Sequence, residues 1–260
     1  GISHEACSLA GTWRLGKLIA LYDDNGISID GEVSGWFTDD TPARFRAYGW
    51  QVIRDVDGHD PEEIRQAIET ARAETSMPTL ICCRTLIGYG SPNKQGTAAT
   101  HGAPLGAEEI ALVREHIGWP HPPFEVPQDI ADAWDSRARG AQNQAQWQAL
   151  FDDYRSRNPE LAAELARRID GDLPRDWATA ADSVISAINS EAAAVATRKA
   201  SLRCLEGFAP LLPELIGGSA DLTGSNLTYW SGSKAVTGDD ANGNYLYFGV
   251  REFGMAAIMN

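Results

Sequence analysis

The chain has 260 residues, with 22 basic and 36 acidic side chains and a formal net charge of −14. That length accommodates one to two domains at about 100–200 residues each, and the acidic balance excludes the basic stripe that a nucleic-acid surface requires. No run of about 18 apolar residues exists to span a membrane, and the opening residues do not read as a signal peptide. The 4 cysteines, Cys7, Cys82, Cys83 and Cys204, form no C-x-x-C pair. They read as reduced thiols of a cytoplasmic protein rather than as metal ligands or disulfides. Gly1 opens the chain without a methionine and Asn260 closes it within an expected helix, so a segment of a longer polypeptide is expected.

The first part alternates helix and strand. His4 to Leu15 suits a short helix, and the apolar run Lys17 to Tyr22 suits a buried strand that ends at an Asp-Asp-Asn-Gly turn. Gln51 to Val56 is the next strand. Asp60 then caps a helix with Pro61 at its first position and Glu63 completing a capping box. Ile64, Ala67, Ile68 and Ala71 fall on one face of that helix. Pro78 to Ile87 is a further strand. Alternation of this kind predicts a parallel sheet covered on both faces, whose ligands sit at the carboxyl ends of the strands. The Asp-Asn-Gly turn and the Gly88 to His101 loop are expected on that edge.

A proline-rich crossing at Trp119 to Pro123 leads into polar helices from about Ala131 to Arg168, with Trp134 and Trp147 expected to pack between helices. A second α/β unit is expected from near Ser190. In it, Thr197 to Phe208 is helical, Leu215 to Asp221 and Tyr245 to Gly249 are strands, and a helix follows Arg251.

Residues 23–30, Asp-Asp-Asn-Gly-Ile-Ser-Ile-Asp, have the oxygen donors that magnesium takes alongside phosphate. The Asn25 side chain and the Ile27 carbonyl are spaced to reach one ion. On composition alone, the same residues make an ordinary turn. Glu252, taken alone, is an acid in the first turn of a helix, where the macrodipole favours it.

Several motifs in order carry more than any one alone. Gly1-Ile2-Ser3-His4-Glu5-Ala6, Asn25 at a strand end, Gly90-Ser91-Pro92-Asn93-Lys94, His101-Gly102-Ala103-Pro104-Leu105-Gly106, Gly217-Gly218-Ser219-Ala220-Asp221-Leu222 and Val250-Arg251-Glu252-Phe253-Gly254-Met255 together resemble the transketolases over essentially the whole chain. The resemblance implies an α/β, parallel-sheet thiamine-diphosphate-binding fold. Residues 1–125 would be the C-terminal part of the diphosphate-binding domain, 126–189 a helical connector, and 190–260 the N-terminal part of the pyrimidine-binding domain.

It also implies roles. Asn25 and the Ile27 carbonyl would bind Mg2+ or another divalent cation such as Ca2+, with Asn25 near the diphosphate. His101 would lie beside the diphosphate and the reacting sugar. Arg198 and Ser225 would hold the sugar's terminal phosphate, a task that suits a bidentate guanidinium. Glu252 would hydrogen-bond the aminopyrimidine ring and drive formation of the thiazolium ylid. Glu5 would sit at a subunit interface near the partner's catalytic glutamate.

The implied activity is transfer of a two-carbon ketol unit between phosphorylated sugars by a cytoplasmic homodimer, with no nucleic-acid or membrane partner. Dihydroxyacetone synthase, deoxyxylulose-phosphate synthase and a non-catalytic regulatory fragment are the alternatives. The Gly-Asp-Gly that begins the cofactor motif would precede Gly1, and residues completing the pyrimidine and sugar sites would follow Asn260, so the chain alone is expected to be inactive. Ala98 stands where many relatives carry a histidine.

Overall fold

A computed structural model describes all residues 1–260 and divides into two compact units. The first comprises residues 1–120, 236–241 and 248–260. In chain order its elements are α1 (Ile2–Thr12), β1 (Ile19–Asp24), β2 (Ile27–Ser28), β3 (Gly31–Glu32), α2 (Thr41–Ala47), β4 (Gln51–Asp57), α3 (Pro61–Ala73), β5 (Thr79–Arg84) and α4 (Ala107–His116).

Strand β5 lies at the centre of a parallel sheet of order β1-β5-β4. Its residues Thr79 to Cys83 are all buried, as a strand covered on both faces must be. Side chains alternate across the strand. Ile81 and Cys83 face α3 and pack with Val56, Ala67 and Ala71. Leu80 and Cys82 face the other way, against Ala10 of α1, Trp50, and Phe45 of α2. Burial pushes the Cys82 and Cys83 thiols up from their ordinary pKa.

The register sets Asp24 and Asp57 level with Arg84. A bulge between Ile53 and Val56 interrupts β4. Asp55 takes φ +59 there, and its carbonyl accepts from Arg84 Nη2 at 3.3 Å.

Helix α3 starts at Pro61 with Asp60 Oδ1 accepting from Glu62 N at 2.8 Å and Glu63 N at 3.4 Å. The expected capping box does not close. Glu63 Oε2 accepts from Asp57 N at 2.7 Å instead of from Asp60, because the tight turn out of β4 brings that amide over the helix start. The hairpin of β2 and β3 and helix α2 are additions to the expected elements.

The second unit comprises residues 121–235 and 242–247. It holds α5 (Gln128–Trp134), α6 (Arg137–Arg157), α7 (Pro159–Asp170), α8 (Trp177–Ser190), α9 (Thr197–Phe208), β6 (Gly217–Ser219), α10 (Thr223–Asn226) and β7 (Tyr245–Tyr247). The last helix, α11 (Glu252–Met259), belongs to the first unit and packs on α1.

Strands β6 and β7 pair in parallel. Helices α8 and α9 approach closely at Gly207, where a Cβ would stand 2.4 Å from Val184 Cγ1. Arg167 on α7 ties Glu164 at 2.7 Å and Glu214 at 2.9 Å. Trp134 and Trp147 do not pack between helices: they are 83% and 53% exposed. Trp147 instead stacks on Phe151 one turn along its own helix, where an apolar surface is partly shielded without a second helix.

Ile81 is 1% exposed between sheet and helix. We predict that Ile81→Ala lowers the unfolding free energy in urea by about 2–5 kcal/mol, whereas Ile68→Ala, at a position 36% exposed, has a distinctly smaller effect.

Candidate cofactor and substrate site

The parallel register places three loops on one edge of the first unit's sheet, following Asp24, Asp57 and Arg84. Asn25 opens the first loop. Its Oδ1 accepts from Ile27 N at 2.9 Å, an Asx turn that holds the Asn25 amide oxygen beside the Ile27 backbone. Gly26 at φ +69 permits the tight reversal, and its carbonyl accepts from Val33 N at 3.0 Å to close the hairpin base.

Asn25 Oδ1 keeps a second lone pair and the Ile27 carbonyl is a hard oxygen donor. Such a pair suits a cation that completes its shell with phosphate and water. No cluster of 3 or more His, Cys, Asp or Glu side chains is arranged to hold a metal. A neighbouring cavity of about 280 Å³ is lined by Asp24, Asp39, Asp40, Asp55, Arg54 and Arg84. It contains none of the candidate residues, and its surplus of carboxylates opposes a diphosphate.

The loop after β5 carries His101. Thr85 Oγ1 donates to Asp23 Oδ1 at its start, tying it to β1. Leu86 N donates to His59 Nε2 at 2.8 Å, which fixes the proton of a neutral His59 on Nδ1. The His59 ring stacks on Tyr89 at 3.9 Å. His59 thus anchors this loop. Gly88 lies so close to Thr100 that a Cβ would stand 2.5 Å from its Cγ2. His101 itself is exposed and follows a short 3-10 turn, Ala98–Thr100. Asn25 and His101 therefore lie on one edge of one sheet and do not hydrogen-bond each other.

Glu252 is the first residue of α11 and is exposed. Glu5 on α1 reaches the same helix end: its Oε2 accepts from Gly254 N at 2.8 Å. It caps α11 from outside the helix, within this chain. The expectation for Glu5 concerned a second subunit; the contact here is to the helix that Glu252 begins. Arg251 braces the junction through Phe248 O at 2.8 Å and Ser8 Oγ at 3.1 Å.

In the second unit, Arg198 lies in the first turn of α9, exposed and without an ion pair. Ser225 is exposed on α10. That short helix is held by the buried Tyr245, whose hydroxyl bonds Thr223 Oγ1 at 2.9 Å and Thr228 Oγ1 at 2.7 Å. Arg198 and Ser225 do not touch through a hydrogen bond. Asp221, just beyond β6, takes φ +58, a strain that costs a non-glycine residue about 1–3 kcal/mol and concentrates at ligand sites. Asp221 stands within one of the motifs that carry the family resemblance, but an aspartate in a tight turn gives no sequence signal of its backbone conformation.

Comparison with known proteins decides the family. A family described as the thiamine diphosphate binding domain of transketolase matches residues 1–174, and one described as the transketolase pyrimidine binding domain matches residues 193–260. The chain belongs to the transketolase family. It is 60% identical to transketolase 1 of Vibrio cholerae over 260 residues, covering all of this chain and 39% of that protein. It is 58% identical to transketolase 2 of Aliivibrio fischeri with the same coverage.

Among solved structures, transketolase of Pichia stipitis in complex with sedoheptulose 7-phosphate superposes with a TM-score of 0.90 at 43% identity, over 100% of this chain and 39% of that one. Transketolase of Leishmania mexicana superposes with a TM-score of 0.90 at 38% identity, over 100% of this chain and 38% of that one. The chain thus spans 39% of the length of the curated relatives it matches. The α/β parallel-sheet fold expected from sequence is that of these neighbours.

The cap on α11 makes a measurable claim. Glu5→Ala removes the acceptor from Gly254 N, and we expect a loss of about 0.5–2 kcal/mol in chemical denaturation. Glu5→Gln retains an acceptor oxygen and is expected to lose distinctly less.

Proposed function

We propose that the chain works as part of a full-length transketolase that moves a two-carbon ketol unit from a ketose phosphate such as xylulose 5-phosphate to an aldose phosphate, ribose 5-phosphate or erythrose 4-phosphate. The observation that carries this reading is 60% identity to a transketolase across all 260 residues, with both transketolase domain families represented. Relatives of Pichia stipitis hold fructose 6-phosphate and sedoheptulose 7-phosphate, which supports phosphorylated sugars as substrates. No helix is long and apolar enough to cross a membrane. A cytoplasmic homodimer with sites between subunits, and domain limits near 125 and 190, belong to the same proposal.

The residues divide the work by chemistry. Asn25 Oδ1 and the Ile27 carbonyl hold a divalent cation, Mg2+ in the first instance, against the diphosphate. Bound thiamine diphosphate supplies the electron sink that lets a ketose carbon–carbon bond break. Glu252 holds a proton at the aminopyrimidine ring. His101 donates to a phosphate or sugar oxygen near neutral pH. Arg198 and Ser225 grip the terminal phosphate, Arg198 through paired charge-assisted bonds.

The test is ketol transfer from xylulose 5-phosphate to ribose 5-phosphate by the full-length protein carrying this chain, with thiamine diphosphate and Mg2+ present. Wild type is expected to turn over and Glu252→Ala to lose activity by about a hundredfold or more, the range for a group engaged in proton transfer. Absence of transfer by folded, cofactor-loaded wild type overturns the proposal. Transfer to formaldehyde alone, or from pyruvate to glyceraldehyde phosphate, redirects it to the related thiamine enzymes.

A further inference from the structure

The loop that carries His101 leaves and returns through a clamp that catalysis does not explain. Ser91 is fully buried and Glu109, in the first turn of α4, is 7% exposed. Ser91 Oγ donates to Glu109 Oε1 at 2.5 Å, Asn93 N donates to the same oxygen at 2.9 Å, and Asn93 Nδ2 donates to Glu109 Oε2 at 2.9 Å. Lys94 N donates to Ser91 Oγ at 3.2 Å, and Lys94 Nζ donates to Leu105 O at 2.7 Å. Residues 91–94 are therefore tied to residues 105–109, and the stretch between them, which includes His101, is a closed loop with joined ends.

A buried carboxylate is retained only where donors repay its desolvation. Glu109 spends both oxygens on one segment of backbone and side chain. A serine, an asparagine side chain and a main-chain amide converging on one carboxylate fix orientation as well as distance. No leucine or glutamine in its place would satisfy all three donors. By contrast, His101 makes no side-chain hydrogen bond of its own in this chain, so its position is set by the backbone on which it rides.

We infer that Glu109, with Asn93, is a positioning residue for His101: the clamp sets where the His101 loop stands over the carboxyl edge of the sheet, and so governs productive binding of the sugar phosphate. The inference rests on the reading of His101 given above. The hydrogen bonds from Ser91 and then Asn93 hold the Glu109 carboxyl below its usual range. A group depressed in this way contributes its tie above the unfolded-state value and loses it as pH falls through the folded one, so the clamp stays closed throughout the neutral range.

The test uses the full-length enzyme and a charge exchange across the clamp. Asn93→Asp sets two carboxylates face to face; adding Glu109→Gln offers the new carboxylate an amide donor. With cofactor affinity and thermal midpoint recorded for each variant, Asn93→Asp is expected to reduce kcat/KM for xylulose 5-phosphate by about ten- to a hundredfold, the scale of an ångström-sized misplacement. The double variant is expected to recover most of that loss, and His101→Ala to shift KM in the same sense as Asn93→Asp. Loss of thermal midpoint with kcat/KM unchanged, or a double variant no better than Asn93→Asp, overturns the inference. Unchanged kcat/KM in His101→Ala overturns the underlying reading of His101, which is a separate failure.

Discussion

What the first unit's sheet edge carries depends on the parallel pairing of β5 with its two neighbours. Because β5 is buried on both faces, it cannot slip by one residue without moving Ile81 and Cys83 from the α3 side to the α1 side. The fixed register sets Asp24, Asp57 and Arg84 level. Three loops then leave from a single edge, while the two faces are taken by helices. Asn25, His59 and the His101 loop share that edge for this reason and not through contacts among themselves. Burial of the strand at roughly 25 cal/mol per Å² of apolar surface outweighs what any exposed ion pair contributes.

The ties that hold the edge are short-range and polar. His59 fastens the loop start at Leu86, and the Asx turn of Asn25 fastens the other. In the second unit, Tyr245 plays a comparable part, holding α10 from both sides through Thr223 and Thr228. Arg167 gathers Glu164 and Glu214, and Glu164 is lowered to about 2 by Arg167 and then Arg168. These side chains are all partly open to solvent, so the network orders α7 more than it stabilises the unit. Leu21, Ile29 and Trp36 stay 59%, 70% and 59% exposed.

Elements with strong local signals were legible in the sequence. The apolar runs gave β1, β4 and β5 to within a few residues, Pro61 began α3, and α9 runs from Thr197 to Phe208 as expected. The edge shared by Asn25 and His101 followed from alternation alone, because parallel sheets leave their ligands one place to sit. What local signals could not carry was partner choice. Glu63 has an amide at Asp57 and another at Asp60 within reach in sequence, and only the folded turn selects Asp57. Trp134 has the composition of a packing residue but finds no helix to pack on. Glu109 looks like any first-turn acid favoured by the macrodipole; its burial against Ser91, eighteen residues back in the chain, is a tertiary fact.

The claim that this sheet edge seats a cation and a diphosphate is tested most directly by cofactor binding. Thiamine diphosphate is titrated into full-length wild type and Asn25→Ala, each with and without Mg2+, with affinity as the readout. The account predicts Mg2+-dependent binding in wild type and, in Asn25→Ala, an affinity lower by about tenfold or more, since a lost hard-oxygen ligand is not replaced by an alanine methyl. Equal affinity of the two proteins, with folding intact, would contradict it.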